Sequence, residues 1–435
     1  MRLDRPADRR PPAAAGQLIS GAHESMTRTD DPAVTAADEP ARRSDALGFW
    51  CGGVMICAAA LIPLVAWLSP LGFAPLMALV GLLCAPAFRI SEKDRPLAIV
   101  LICALAWGAA SLLWSPFANQ RGGHSMLVEL SLAPPLYWCA VCGARRADPG
   151  LIDIAFRILA FGLAAHAAIL LADVPSGGEI YRGLHQSYYE PISPVLAKIK
   201  LAQTTFVLAV LWPLVLLSGG RGWTGRVLLG IVLAGVMIPA YAFDAAAPLA
   251  AVPLSLAIFA AVLRWPRGAP RLIAWSVGAL YLASPAIIWS LRWVGSDKPI
   301  LAAMEASWAA RVSYWIHTTD WIMARPLLGW GLDASRHMGP GIVLHPHNNA
   351  LQAWLELGLP GAAAAAAFWL LSLGRTARAA PSPAAAASAA AAGAYLLFAW
   401  VNFGLWQQWW IALGALVAML SAAAERRRPP ARLTL

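Results

Sequence analysis

The residues best equipped for chemistry lie together at His345-Pro346-His347-Asn348-Asn349-Ala350-Leu351-Gln352-Ala353-Trp354-Leu355-Glu356-Leu357-Gly358-Leu359-Pro360-Gly361. Two imidazoles and two carboxamides stand directly ahead of a hydrophobic stretch with helical character. A neutral imidazole takes up a proton near neutral pH. A helix N-terminus presents free N–H groups and a positive dipole end to an anion. Proton removal beside anion stabilisation is therefore the chemistry this spacing offers. Asn349, Gln352 and Glu356 fall at i, i+3 and i+7 and share one helical face. A glutamate one or two turns inside a membrane span faces the bundle interior, which makes it a functional candidate. A hydrogen bond to a neighbouring helix would satisfy it equally well.

The elements that position these residues follow from composition. Of 435 residues, 59% are hydrophobic and 13% charged, with 21 tryptophans. Soluble domains carry about 25% charged residues, so the balance is that of a multi-spanning membrane protein. The net charge of +10 is spread over loops and tails, which points to membrane topology and away from nucleic acid. The six cysteines all lie in apolar segments, and no disulfide framework is expected. Residues 1–46 contain no apolar h-region, so no signal peptide is expected there; they read as a disordered cytoplasmic tail, with Met26 an alternative start.

Candidate spans are 47–68, 71–88, 97–114, 126–143, 151–172, 201–218, 227–243, 248–263, 272–291, 348–372, 385–402 and 404–423, each near the ~20 apolar residues that cross a bilayer. The expectation is an all-α polytopic membrane protein with about twelve transmembrane helices over 47–423 and a basic cytoplasmic tail at 424–435. Short basic loops, such as those with Arg145 and Arg146, Arg264, Arg267 and Arg271, or Arg375 and Arg378, fall on one side. The positive-inside rule makes that side cytoplasmic, with both termini. Two long loops, about 173–200 and 292–347, fall on the opposite, periplasmic side. The first carries Arg182, Lys198 and Lys200. The second holds four of the eight histidines, and residues 311–324 within it read as an amphipathic helix stopped by Pro326 and Gly329.

From Arg311 onward the chain resembles a known family. Arg311, Trp315 and Arg325-Pro326-Leu327-Leu328-Gly329-Trp330-Gly331-Leu332, followed by His347-Asn348, Leu351-Gln352, Glu356-Leu357-Gly358 and Gly361, resemble the signature of the O-antigen ligase and O-antigen polymerase superfamily. The resemblance implies a bacterial inner-membrane glycosyltransferase of about twelve spans, with a large, partly helical periplasmic loop late in the chain. It implies a donor glycan on undecaprenyl diphosphate and an acceptor that is lipid A-core or a growing polysaccharide. One departure stands out. Family members have a Ser-Arg pair at the start of an earlier span, where the arginine helps bind diphosphate. The matching stretch here, Tyr241 to Pro248, has Asp244 and no arginine. Lys198, Lys200 and Arg182 are the candidate replacements.

On that resemblance His347 is assigned as the general base and Arg311 as the group that stabilises diphosphate or transition-state charge, in a direct displacement with inversion that needs no metal or cofactor. His345 reads as support for His347, with a binding role as the alternative. Asn348 reads first as a helix N-cap and second as a substrate contact. Gln352 and Glu356 are substrate-binding candidates. Arg325 is an interfacial charge, with substrate binding as its alternative. The leading reading is an O-antigen ligase-like enzyme; an O-antigen or exopolysaccharide polymerase of the same superfamily is the alternative. A non-enzymatic assembly partner, a transporter, and transfer to a protein hydroxyl are further options. The unequal long loops and the short 218–226 junction argue against a two-halved transporter.

Overall fold

The computed structural model describes residues 32–119, 123–188, 190–218, 222–295, 306–339 and 341–427, with backbone alone at 32–45, 188, 293–295 and 306. Among them there are fourteen α-helices and no strand. The first seven are α1 (Pro32–Leu68), α2 (Phe73–Leu83), α3 (Arg95–Ser111), α4 (Gly123–Arg146), α5 (Pro149–Asp173), α6 (Glu179–Tyr188) and α7 (Pro194–Val215). The rest are α8 (Trp223–Ala242), α9 (Ala246–Arg264), α10 (Gly268–Gly295), α11 (Ala306–Ala324), α12 (Asn349–Gly374), α13 (Pro383–Val401) and α14 (Gln408–Arg426). The chain divides into a unit Met1–Arg43 and a unit Ser44–Leu435. In the first, the described backbone is helical from Pro32, inside the stretch expected to lack structure. The second holds the apolar helices and the candidate site.

Ten of these helices are long and apolar enough to cross a membrane, and Pro70–Leu83 and Arg95–Ser111 are shorter apolar helices. The protein is an all-α, multi-pass membrane protein, as its composition required. Local sequence marks where several spans begin. Asp148, Ser193 and Ser382 each precede a proline, and each side chain accepts N–H bonds from the first turn of α5, α7 and α13. The cap satisfies otherwise orphaned donors, and proline at the first helical position loses none. The bundle centre is built from α7 and α13, whose residues Val207–Val215 and Ala385–Ala391 are buried. Small residues let helices approach closely: a Cβ on Gly81 would sit 2.1 Å from the Leu136 carbonyl oxygen, and one on Gly235 would sit 2.3 Å from the Ala167 Cβ.

One face carries the basic loops and is laced by ion pairs. Buried Asp94 receives Arg145 and Arg375, each at 2.7 Å. Burial works to raise its pKa, but the hydroxyl of Ser91 and the two guanidinium groups outweigh it and bring the carboxyl down to about 2. Arg427 pairs with Asp153 at 2.5 Å, and Arg378 pairs with Glu425. The opposite face holds the turns after α1, α3, α8 and α13, together with α6 and α11.

The 173–200 stretch, expected as a loop, is largely helical. Buried Asp173 accepts the N–H groups of Ile180 and Tyr181 at 2.8 and 3.0 Å, and so caps α6. Lys198 and Lys200 lie in the first two turns of α7, so both are helical rather than on a loop. The amphipathic helix expected at 311–324 is α11. It packs Trp315 and Ile322 against Met338, Ile342, Leu351 and Leu355. Arg292 at the end of α10 ties it down through the Ile316 carbonyl, Thr319 and Asp320.

Candidate functional site

The site is organised by a break in α12. Gly358 has φ 62° and ψ −158°, and Pro360 follows with no N–H to donate. Helical hydrogen bonding fails there, which releases the carbonyls of Leu355, Glu356 and Leu357. Inside a membrane such groups need partners. The Pro326–Gly331 turn supplies most of them. Trp330 N–H bonds the Leu355 carbonyl at 2.9 Å, Gly331 N–H bonds that of Glu356 at 2.8 Å, and Leu359 N–H returns to the Pro326 carbonyl at 2.9 Å. Trp107 Nε1 completes the set on the Leu357 carbonyl at 2.8 Å. The approach demands glycine on both sides. A Cβ on Gly329 (φ +69) would lie 2.4 Å from the Glu356 oxygen, and one on Gly358 would lie 2.4 Å from that of Leu327. The two halves of the sequence signature, Pro-Leu-Leu-Gly-Trp-Gly and Glu-Leu-Gly-Leu-Pro-Gly, are thus partners in one backbone joint.

Glu356 is the hub above that joint. It is fully buried, and it accepts Asp333 N–H at 2.8 Å, Trp406 Nε1–H at 2.5 Å and Gln352 Nε2–H at 2.9 Å. Gln352 in turn accepts Leu405 N–H at 2.8 Å. These bonds fasten the 331–338 turn and the 402–407 turn to α12. Glu356 and Gln352, both substrate-binding candidates, thus share one internal hydrogen-bond network. Asn349, on the same helical face, is buried and its Oδ1 takes no part in it. Asn348 caps α12 by accepting Leu351 N–H at 3.0 Å.

His347 sits at the mouth of α12 with φ 54°, a conformation uncommon for a non-glycine residue. Its Nδ1 lies 2.7 Å from the Asn402 carbonyl. A carbonyl only accepts, so Nδ1 carries the proton and Nε2 of the neutral ring is left as the base. Burial lowers the pKa of His347; the bond to Asn402 works the other way, and the nearby Arg311 charge lowers it further. His345 holds the turn: its Nδ1 accepts the His347 backbone N–H at 3.1 Å, and its Nε2 lies 3.1 Å from the Gln407 carboxamide. Burial, with the charges of His347 and Arg336, pushes His345 down to about 3, so it stays neutral in support of its neighbour. Tyr314 of α11 stacks on His347, with ring centroids 6.2 Å apart.

Arg311 lies one turn before Tyr314, bonded to Ser307 and over the Trp308 ring. The structure therefore brings His347, His345, Tyr314 and the Arg311 charge together. The other cations go elsewhere. Arg325 stacks on Trp330 at 4.1 Å. Arg336 pairs with buried Asp333 at 2.8 Å. Arg182 is engaged by Glu179 and the Ile192 carbonyl. Among the described residues Lys198 and Lys200 make no ion pair. Asp244 occupies an exposed turn between α8 and α9 at φ 55°. Sequence reasoning missed Asn402, Trp406, Gln407 and Tyr314. The first acts through its backbone, which carries no sequence signal.

A multi-pass membrane protein with a broken span and an imidazole at its mouth is the class these observations define. The family model described as O-Antigen ligase matches residues 195–366, a stretch that contains Arg311, His347 and Glu356. The chain is 30% identical over 132 residues to a protein of Rickettsia conorii named "Putative polysaccharide ligase", covering 27% of this chain and 32% of that one. A protein of the same name from Rickettsia prowazekii is also 30% identical, with 27% and 33% covered, and one from Rickettsia typhi is 26% identical with the same coverage. The aligned stretch thus spans about a third of these relatives' length. The match over residues 195–366 includes the 311–361 motif that carries the resemblance to the O-antigen ligase superfamily.

Proposed function

We infer that this chain is an O-antigen ligase-like glycosyltransferase. It moves a glycan from undecaprenyl diphosphate to a sugar hydroxyl of lipid A-core at the periplasmic face of the bacterial inner membrane. The observation that carries the reading is the tautomer of His347, whose Nδ1–H is held by the Asn402 carbonyl within the stretch that matches the family. The acceptor hydroxyl gives its proton to His347 Nε2 as its oxygen attacks the anomeric carbon. The bond from that carbon to the diphosphate breaks, and the diphosphate leaves with the electron pair and inverted geometry at the sugar. General base catalysis of this kind is worth roughly 10²–10⁴ in rate.

Leaving-group charge is met by Arg311 and by the free N–H groups at the start of α12. The family's second arginine has no counterpart at Asp244. Lys198 and Lys200, in the first two turns of α7 on the face that also holds α11, are the candidates for the second cation. His345 and the Asn402 carbonyl are positioning groups. The periplasmic assignment follows from the basic loops on the opposite face.

The test is complementation of a deletion strain. Wild type restores glycan on lipid A-core, whereas His347→Ala inserts and expresses normally yet leaves long chains on the carrier lipid. Wild-type transfer by His347→Ala removes the residue as the base. Single repeat units capped onto core in the deletion strain would mark the chain as a polymerase.

A further inference from the structure

One ring away from His347, across Tyr314, lies a cavity of about 420 Å³, walled by Ser313, Tyr314, His317 and Trp321 of α11 and by Met338, Gly339 and Gly341 opposite. The transfer chemistry proposed for His347 and Arg311 makes no use of it. Its size falls within the roughly 300–1,000 Å³ of small-molecule sites, and its walls have the usual make-up, mostly apolar and aromatic with a few fixed polar groups. The polar groups are ordered. His317 Nδ1 lies 2.8 Å from the Ser313 carbonyl, so that nitrogen bears the proton and Nε2 of the neutral ring is an acceptor. Trp321 is held from behind by the Trp330 ring, edge to face at 5.0 Å, and by the Trp330 indole N–H on its carbonyl. Tyr314 lines the cavity and also stacks on His347. A ligand in the cavity is therefore one ring away from the base.

We propose that this cavity is a sugar subsite, taking one pyranose ring of the glycan with an apolar sugar face against Trp321 or Tyr314 and its hydroxyls on His317 Nε2 and Ser313. The combination of flat aromatic walls and acceptors at the rim fits a ring that is apolar on its faces and polar at its edge. It does not fit a lipid tail, which leaves His317 and Ser313 unmatched, or a diphosphate, which needs cations. The subsite rests on the glycan-transfer reading for its position next to His347, but its occupancy is measurable without turnover. The ring can belong to the acceptor or to the first sugars of the donor, and the two sources separate in the assay.

Two variants probe it without disturbing the core. A Cβ on Gly339 would meet open space, and its φ is not positive, so Gly339→Leu adds bulk at the cavity wall with no clash at its Cβ. His317 is exposed, so His317→Gln removes the fixed acceptor. Purified full-length protein in detergent is titrated calorimetrically with a lipid-free oligosaccharide released from the host's lipid A-core, with the donor-type glycan released from the carrier, and with undecaprenyl diphosphate alone. The expectation is that both variants weaken one of the two oligosaccharides about tenfold, the loss of roughly one good hydrogen bond or stacking contact, and leave undecaprenyl diphosphate unchanged. Loss of core oligosaccharide supports the subsite and assigns it to the acceptor; loss of the donor-type glycan supports it and assigns it to the donor. Wild-type affinity for both sugars in both variants, or no binding of either sugar to the wild type, overturns the proposal. Failure of the transfer reading shows separately, as unchanged transfer in His347→Ala with sugar binding intact.

Discussion

Glu356 is the hub of the hydrogen-bond network under the mouth of α12, and its removal has a size that can be worked out. The carboxylate takes three hydrogen bonds in a fully buried setting, from Asp333, Trp406 and Gln352. Glu356→Ala strands all three donors at roughly 1–3 kcal/mol each, a loss of about 3–9 kcal/mol before any relaxation. Glu356→Gln behaves differently. Its oxygen can still serve Asp333 and Trp406, which share Oε2, but its amide then faces the Gln352 amide, donor against donor. Gln352 is not at liberty to turn, because its own oxygen holds Leu405 N–H at 2.8 Å. One unmatched contact remains, worth roughly 1–3 kcal/mol. The assay is the thermal unfolding midpoint of detergent-purified protein followed by size-exclusion, with expected order wild type, then Gln, then Ala. An Ala variant as stable as wild type but inert in transfer would refute the reasoning and move the carboxylate from scaffold to chemistry.

The same geometry gives three further expectations. His347 has its pKa lowered, so its base form persists on acidification; the acid limb of transfer rate should have its midpoint below the ordinary ~6.5 of imidazole, and a midpoint above 7 excludes it as the titrating base. Gly358→Ala forces an L side chain into φ 62° with its Cβ 2.4 Å from the Leu327 oxygen. The backbone term alone is about 1–3 kcal/mol in this glycine-only region, so its folded yield in membranes should fall well below that of Gly374→Ala, where a Cβ meets open space. Asp94 is held down to about 2 by Ser91, Arg145 and Arg375 against its burial. Its contribution is complete above the unfolded value of about 4 and is lost as pH falls through about 2; Asp94→Asn should be less stable at neutral pH, and the stability gap to wild type should close in acid as measured by detergent unfolding.

Much of the architecture was legible because membranes impose simple rules. Apolar length gave the spans, whereas the Asp-Pro and Ser-Pro pairs at 148, 193 and 382, which start three of them ahead of their apolar stretches, went unread. The helix at 311–324 was legible from its period, and its stop from Pro326. The shape of the site was less so. The i, i+3, i+7 pattern placed Asn349, Gln352 and Glu356 on one face, but periodicity says nothing of what that face meets. It meets backbone N–H groups of Asp333 and Leu405, which any sequence could present. Likewise Arg182 looked available as a cation, because a loop reading hides the helix that gives it Glu179 and the Ile192 carbonyl. The Asn402 carbonyl that fixes the His347 tautomer lies 55 positions away and leaves no trace in composition or spacing.

The division between scaffold and chemistry explains why the motif is so long. A span that ends its helix early exposes carbonyls at a depth where water cannot serve them, and each unmet group costs several kcal/mol. The Pro326–Gly331 turn is shaped to meet those carbonyls, and the two glycines at 329 and 358 permit the contact. With the joint closed, Glu356 has a fixed place from which to hold the 331–338 and 402–407 turns. Those turns then set Asn402 and Gln407 against His347 and His345. Most of the recognisable residues thus build a rigid mouth for α12, and the proposed transfer is left to a small set: His347, Arg311 and the residues around Tyr314. Their tolerance to change should therefore differ in kind. Substitutions in the joint remove the protein, whereas substitutions at the mouth leave it folded and remove the reaction.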